Sequence, residues 1–562
     1  MAEKDLKQYE EGIDGVLPKA SEFDGLDLTP NELRLKKLEI EMNAHIDAKI
    51  MQNPDKMPTA VWFIIPNELG ERFCYYGLTP ILKNFLKYQL GYLAKVDANF
   101  MYHIFQGLCY YTPILGSIIS DSYLDKFKTI TILSSLYTFG FLLLTITSWP
   151  TIMGVETTHL SRVGPLLALL CICFGTGGIK PCVSAHGGDQ FLDVQKYGLQ
   201  KFYNYFYMAI NTGALVASYA SPAIQKKEFF TFPNDTLALW AAAHVQPTGN
   251  GYPQAFLMLT CFMACAVGVF VFGFKYYRVV PPKGTFILTD IFKTAFAYLG
   301  NRSKMSSEEA YKKTCETHTE GSVVEMMDLG KVIAAIWPAP IFWMAFNQNG
   351  TVWQDLGDQM AVPFGGDKVT SFFDSETVNN IWNPFFIIIL APIFANWLFP
   401  FIDKKFGAEK FGLMQRMIAG QFVAGLTFIL AAIIQKNVNA NCYDGAAIDI
   451  CQSSTSIGWQ VLMYFFITFS ECLFSISGLN FTYIEVGKRT KSFCAALWLF
   501  TVGTGSFLTS ALLEGTLGAD NTTWTRETFF YLVAGLCFAS AIVQYLISRW
   551  YVPKALRPTA HL

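Results

Sequence analysis

The sequence predicts an all-α membrane protein with twelve membrane-spanning helices. Hydrophobic residues make up 52% of the chain and charged residues 15%, against about 25% charged residues in an ordinary soluble domain. Most of twelve apolar segments approach or exceed the length that a helix needs to cross about 30 Å of hydrocarbon. These segments cover roughly residues 59–86, 98–120, 129–149, 163–185, 203–224, 254–275, 332–353, 380–402, 412–435, 458–484, 492–514 and 528–550.

The distribution of lysine and arginine predicts how the chain is oriented across the membrane. These residues are concentrated in the loops after even-numbered spans and in the long segment between the sixth and seventh spans. By the positive-inside rule, both termini and that segment lie in the cytoplasm. The expected organisation is a cytoplasmic N-terminal tail (1–57), a six-helix half (58–275), a cytoplasmic connecting loop (276–330), a second six-helix half (331–551) and a cytoplasmic tail (552–562). The net charge of −2 gives no indication of a nucleic-acid partner.

A weak internal repeat favours two related halves. An acidic-then-basic segment follows the second span, at 116–128, and a similar one follows the eighth span, at 400–407. The two copies lie six spans apart, and the long charged segment separates the sixth span from the seventh. This is the plan of the major-facilitator transporters, in which a substrate cavity lies between two six-helix halves near the middle of the bilayer.

Ionisable side chains occur inside the predicted spans. Glu68, Glu71 and Arg72 lie in the first span and Lys180 lies in the fourth. A charge at the centre of a bilayer costs about 2.5–3.5 kcal/mol even on insertion scales, so these groups need a polar cavity or a partner. A purely structural ion pair is one interpretation. The other is that Lys180 and the carboxylates exchange partners as protons and substrate bind.

Three motifs carry a resemblance to a known family. The segment E-x-x-E-R-F-x-Y-Y-G at 68–77 resembles the first-helix motif of the proton-coupled oligopeptide transporter family (POT/PTR). The segment at 174–191, which begins F-G-T-G-G-I-K-P, resembles its fourth-helix signature, and F-Y-x-x-I-N-x-G at 206–213 resembles its fifth-helix signature. All three occur in the order of the family.

The resemblance implies a symporter that imports di- and tripeptides with protons by alternating access and needs no cofactor beyond the proton as co-substrate. The positions that match proton-coupling residues are Glu68, Glu71, Arg72, Lys180 and His103. The positions that match substrate-binding residues are Tyr75, Tyr110, Lys180, Tyr207, Asn211, Trp343, Asn383, Glu471 and Trp498. We expect a monomer in the plasma membrane, with the lipid bilayer, peptides and protons as its partners.

The chain departs from many members of the family at two positions. Thr79 stands where many members have an arginine, and Asn347 stands where several have an acidic residue. The loop at 436–457 is too short for the large extracellular domain of animal members, which suits a fungal or protist type. A disulfide between Cys442 and Cys451 in this loop stays open.

Other functions were weighed against peptide symport. A nitrate or other small-anion symporter of the same family would need positive charge with no opposing carboxylate, so Glu471 argues for peptides. A peptide sensor that uses the same pocket stays open. An enzyme is not expected, because the spans contain no G-x-S-x-G, H-E-x-x-H or paired-aspartate motif.

Overall fold

The protein is described by a computed structural model, and every regular element in the described residues is a helix apart from one isolated bridge between Ala361 and Ser456. The residues described are 30–53, 56–91, 95–149, 159–227, 250–280, 287–362, 375–407, 411–441, 453–486, 490–517 and 524–552. Cys442 and Cys451 therefore lie outside the described residues, and their pairing stays open.

The first part of the chain forms seven α-helices. The helix before the first span lies within the predicted N-terminal tail. Asp125 caps the N-terminus of the fourth helix, because its carboxylate accepts a hydrogen bond of 2.7 Å from the backbone N–H of Lys128. The helices are α1 (Pro30–Gln52), α2 (Val61–Asn84), α3 (Lys95–Ser122), α4 (Lys126–Thr147), α5 (His159–Gly188), α6 (Lys196–Gln225) and α7 (Tyr252–Phe272).

The segment predicted as a connecting loop contains helices of its own, and the second half follows it. Gly407 ends the helix Phe399–Phe406, and its φ of +87° lies in the left-handed region that favours glycine. The helices are α8 (Ile287–Arg302), α9 (Ser307–Cys315), α10 (Glu320–Ile336), α11 (Ala339–Phe346), α12 (Val352–Asp358), α13 (Ser375–Ile393), α14 (Phe399–Phe406), α15 (Leu413–Ala440), α16 (Gly458–Ile484), α17 (Lys491–Leu517) and α18 (Arg526–Trp550).

The helices account for the twelve predicted spans. Eight helices among the described residues are individually long and apolar enough to cross a membrane, and a bent pair, Glu320–Ile336 with Ala339–Asp358, forms a ninth. The other three spans are α2, α3 and α6. Charged residues lower the hydropathy of each of these helices. Those of α2 belong to the polar interior described below, whereas those of α3 and α6 lie near the helix ends.

The seventh span starts earlier than predicted and is broken. It begins at Glu320 rather than at residue 332, and it bends by 44° between α10 and α11. Proline lacks a backbone N–H and clashes with the preceding turn, so Pro338 and Pro340 interrupt the helix. The Gln544 side chain of α18 donates to the Ala335 carbonyl at 2.9 Å, and Ser540 donates to the Pro338 carbonyl at 3.1 Å. A neighbouring helix thus satisfies carbonyl groups at the break, as hydrocarbon surroundings require.

Each half has its own hydrophobic core. One core draws on buried residues between Ala60 and Tyr277, and the other draws on buried residues between Ile291 and Tyr551. The large apolar side chains that remain exposed lie mostly on the outer faces of the spans, where hydrocarbon would surround them, for example Phe139, Phe422 and Ile542. Two separate cores allow the halves to move as units around the space between them.

Candidate functional site

The charged motif of α2 is buried as a cluster. Arg72 Nε donates to Glu68 Oε1 at 2.8 Å and lies 3.1 Å from Glu71 Oε2. Glu68 and Glu71 are almost completely buried. The spacing of four residues places Glu68 and Arg72 on the same face of the helix. One guanidinium thus faces two carboxylates, and the cluster carries a net negative charge when both carboxylates are ionised.

A side chain from α5 completes the cluster. The Thr176 hydroxyl donates a hydrogen bond to Glu71 Oε1. Sequence reasoning did not assign Thr176 a role, although it lies in the fourth-helix signature one turn before Lys180. The helices approach closely here, since a Cβ atom at Gly177 would lie 1.6 Å from the Thr112 hydroxyl of α3. Glycine at 177 therefore lets α5 pack against α3 with Thr176 directed towards α2.

Lys180 lies between two tyrosine rings. Its Nζ is 4.2 Å from the ring centroid of Tyr75 and 4.3 Å from that of Tyr110, which are cation–π distances. The side chain is buried, and its ammonium has no hydrogen-bond acceptor within the described part of the chain. The expected ion pair between Lys180 and the carboxylates of α2 is not formed in this conformation. Lys180 nevertheless lies within electrostatic range of Glu68 and Glu71.

A cavity of about 760 Å³ lies between the two halves. Tyr76, Tyr207 and Asn211 line it from the first half, and Glu471 lines it from the second. The lining continues through Tyr203, Tyr483 and Ala495 towards one end of α6, α16 and α17. This is the end of the bundle at which the connecting segment between α7 and α10 lies, and we call that segment the connector. We call this end of the bundle the connector side and the opposite end the far side. The cavity therefore runs from the middle of the spans to the connector side.

Glu471 is held by its neighbours at the cavity wall. Asn383 Nδ2 lies 2.8 Å from Glu471 Oε2 and donates to it, and it also lies 3.0 Å from the Thr468 hydroxyl. Asn383 was predicted to contact substrate. The structure places its side chain behind Glu471, where it fixes the orientation of this carboxylate, and Asn383 is not among the residues that line the cavity.

The two predicted pocket tryptophans lie in a packed aromatic cluster of the second half. Trp343 and Trp498 have ring centroids 6.1 Å apart, and both contact Phe474. Both side chains are buried and neither is among the residues that line the cavity. Gly478 makes this packing possible, because a Cβ atom there would lie 1.9 Å from the Trp498 ring.

Polar contacts between the halves close the far side. Lys83 Nζ of α2 forms an ion pair of 2.8 Å with Asp355 Oδ1 of α12, and Asn99 donates to Asp355 Oδ2 at 3.2 Å. His103 Nε2 lies 3.0 Å from the Thr351 hydroxyl. Sequence reasoning did not single out the ion pair, although Lys83 is a charged residue in the last turn of the first span. These contacts tie α2 and α3 to the broken seventh span.

A hydrogen-bond chain extends from His103 into the second half. Its Nδ1 lies 3.3 Å from Gln106 Oε1, which also accepts from Ser506. Asn347 donates to Ser506 at 2.8 Å. Since a carboxamide oxygen only accepts, this geometry places a proton on Nδ1 of His103. The Thr351 hydroxyl can then donate to neutral Nε2 or accept from a protonated one, so the contact suits both charge states.

The fold and the site define a multi-pass membrane protein in which two six-helix halves enclose a polar cavity that is closed at one end. The chain belongs to the POT family, whose sequence profile matches residues 127–527. It is 31% identical over 388 residues to solute carrier family 15 member 2 of Rattus norvegicus, a match that covers 68% of this chain and 49% of the relative. It is 33% identical over 399 residues to solute carrier family 15 member 1 of Mus musculus, a match that covers 68% of this chain and 52% of the relative. The chain thus spans about half the length of the curated relatives it matches.

Solved structures support the same fold. The crystal structure of an auto-inhibited POT family peptide transporter superposes with a TM-score of 0.69 at 23% identity and covers 89% of this chain and 99% of that one. The structure of the POT family transporter PepTSo gives a TM-score of 0.70 at 24% identity and covers 88% of this chain and 99% of that one. The family and the fold are those of transporters rather than enzymes.

Proposed function

We propose that this protein is a proton-coupled symporter that imports di- and tripeptides by alternating access. The observation that carries the proposal is a cavity lined by a carboxylate of the second half, with a buried ammonium of the first half close to its lining. The second half contributes the Glu471 carboxylate, and the first half contributes the Lys180 ammonium, one helical turn from the cavity-lining Ser184. A zwitterionic peptide needs one cation and one anion, so this pairing fits its two ends.

The remaining lining suits the middle of a peptide. Tyr207 and Asn211 offer hydrogen bonds to the peptide backbone, while Ile387 and Ile476 offer apolar area to its side chains. Apolar walls discriminate weakly between side chains because they supply area rather than a specific hydrogen-bond pattern. This arrangement supports a transporter that accepts many sequences of short peptide.

The conformation corresponds to one state of the cycle. The far side is closed by Lys83 and Asp355, and the cavity reaches the connector side. We place the connector and both termini in the cytoplasm of a plasma-membrane protein, so this state is open to the inside. Opening the far side and closing the connector side would present the same cavity to the outside.

Proton coupling follows from the cluster on α2. Lys180 can pair either with the peptide carboxylate or with an ionised Glu68 or Glu71. Protonation of a carboxylate removes one of these competitors and leaves Lys180 available to the peptide. Loss of the proton to the inside restores the competition and favours release of the peptide, so the gradient drives accumulation.

Uptake into liposomes tests the proposal. Purified protein in vesicles with an acidic exterior should accumulate labelled dialanine, and Lys180→Ala should abolish the accumulation. Lys404→Ala is the matched control, because Lys404 is an exposed lysine on α14 away from the cavity. Accumulation of nitrate but not of dialanine would favour the small-anion alternative. Dialanine binding without any proton-driven flux would favour a sensor.

We further propose that one chain is sufficient for transport, since the cavity is enclosed by the two halves of a single chain. Vesicles reconstituted at less than one chain per vesicle should retain the full uptake rate per chain. A rate that rises with the number of chains per vesicle would argue for an oligomer.

A further inference from the structure

Two side chains on the same face of α5 lie near Glu71, and both can bind it. Thr176 donates a hydrogen bond to its Oε1, and Lys180, four residues later, lies within electrostatic range. Positions i and i+4 of a helix lie one above the other. Ser184, four residues further on, lines the cavity. Thr176, Lys180 and Ser184 therefore form a polar stripe that leads from the carboxylate cluster to the substrate cavity.

The two partners differ in what they can bind. An ammonium only donates hydrogen bonds, so Lys180 can pair with ionised Glu71 but gains little from protonated Glu71. A hydroxyl both donates and accepts, so Thr176 can donate to the carboxylate and accept from the carboxylic acid. Thr176 can thus stay bonded to Glu71 in both charge states, while Lys180 cannot.

The surroundings of Thr176 restrict its movement. The side chain is completely buried, and the glycines on either side of it bring α5 close to α4 and α3. A Cβ atom at Gly175 would lie 2.6 Å from that of Tyr137, and one at Gly177 would collide with Thr112. α5 is therefore packed tightly against α4 and α3 on both sides of Thr176, whose hydroxyl points towards α2.

We propose that Thr176 is a positioning residue for proton coupling: its hydroxyl holds the Glu71 carboxyl in place through protonation and deprotonation, while Lys180 changes partner. This inference rests on the proposed function. A hydrogen bond to a charged oxygen is roughly twice as strong as one between neutral groups. Loss of this bond therefore changes how firmly the Glu71 carboxyl is held, and the change can be measured in the pH dependence of uptake.

Other groups around Glu71 also bear on the pH dependence of uptake. Those within electrostatic range are Glu68, Arg72, Cys74 and Tyr76 of α2, Tyr110 of α3, Tyr137 of α4 and Lys180 of α5. Thiols and phenols ordinarily stay neutral near pH 7, which leaves Glu68, Arg72 and Lys180 as the charged neighbours. Replacing the Thr176 hydroxyl changes none of them, so its effect can be separated from theirs.

The test is the pH dependence of dialanine uptake by Thr176→Val, which removes the hydroxyl with little change in shape. The variant lacks one hydrogen bond to a charged oxygen, which is worth about one pH unit, so the pH of half-maximal uptake should rise by about that amount. Thr176→Ser should restore the wild-type profile. Thr131→Val is the control, because among the described residues that hydroxyl bonds only to the Phe127 carbonyl of its own helix.

Counterflow of dialanine at equal pH on both sides should stay near wild type in Thr176→Val, since exchange needs no net proton movement. Thr176→Ala provides a second hydroxyl-free variant if the valine variant does not fold. Wild-type profiles in both hydroxyl-free variants would overturn the inference. So would equal losses in counterflow and in proton-driven uptake, because these indicate a structural role. If wild-type protein itself fails to accumulate dialanine, the proposed function fails, and this inference fails with it.

Discussion

Lys83 and Asp355 form a buried ion pair that joins the two halves at the far side. The Nζ–Oδ1 distance is 2.8 Å, and the two side chains are 3% and 5% exposed. The residues are separated by 272 positions in the sequence. Taking two charges out of water is costly, so such a pair persists only where geometry and further hydrogen bonds compensate. Here Asn99 supplies one such bond to Asp355.

Asp355→Asn should weaken closure of the far side. It leaves Lys83 buried without its anion, and breaking a buried pair in this way costs about 3–5 kcal/mol. We expect the equilibrium to move towards the state open at the far side, and uptake to fall. Labelling of a cysteine introduced at Ala98, which precedes Asn99 and is buried in the closed state, measures the opening. The double variant Lys83→Met with Asp355→Leu removes both charges, so its introduced cysteine should be labelled less than that of Asp355→Asn alone. Equal labelling of the two variants would contradict the role of the pair.

Glu471 should distinguish peptides by their amino group. If its carboxylate binds the peptide ammonium, Glu471→Gln should lower the affinity for dialanine by about 10–100-fold, which corresponds to one hydrogen bond to a charged group. N-acetyl-dialanine, which lacks the ammonium, should be affected little. Competition against labelled dialanine uptake measures both affinities. Equal losses for the two peptides would remove Glu471 from the proposed role.

The tyrosine pair around Lys180 should stabilise the peptide-free protein through its ring faces. Tyr110→Phe keeps the ring and Tyr110→Leu removes it, and a desolvated cation–π contact is worth about 2 kcal/mol. We therefore expect the leucine variant to melt at a lower temperature in detergent and the phenylalanine variant to melt close to wild type. The idea fails if the two variants melt alike.

The break in the seventh span should depend on α18. Gln544→Leu removes the donor to the Ala335 carbonyl and leaves a buried acceptor without this bond, which costs about 1–3 kcal/mol. The free energy of unfolding in detergent should fall by that amount. Leu546→Ala, at an exposed position two residues along the same helix, is the control and should have a much smaller effect. Unchanged stability of Gln544→Leu would show that the carbonyl has another donor.

Much of the fold could be predicted from the sequence, because the length of each apolar segment indicates whether it can span the membrane. The twelve apolar segments correspond to helices, and the prediction of an all-helical membrane protein is confirmed. The start of the seventh span was predicted too late, since Glu325, Asp328 and Lys331 interrupt the apolar pattern of α10. Its break was not predicted, because a proline in a span can either bend a helix or be accommodated, depending on its neighbours.

The site was only partly predictable. The motif at 68–77 and the position of Lys180 follow from residue spacing along single helices. The contact between Thr176 and Glu71 and the ion pair between Lys83 and Asp355 join different helices, and nothing in the local pattern specifies such partners. The sequence also grouped Trp343 and Trp498 with the pocket, whereas the structure places them in the packed aromatic cluster of the second half.

The sequence by itself determined that this chain spans a membrane, that it carries buried charges, and that its motifs are those of the POT family. These properties depend on composition and on spacing within single helices. Only the tertiary structure decided which end of the cavity is closed, which hydroxyl holds Glu71, and where Lys180 rests between the tyrosines. The reason is physical: a buried polar group needs a partner, and in a bundle of spans that partner is set by which helices pack side by side.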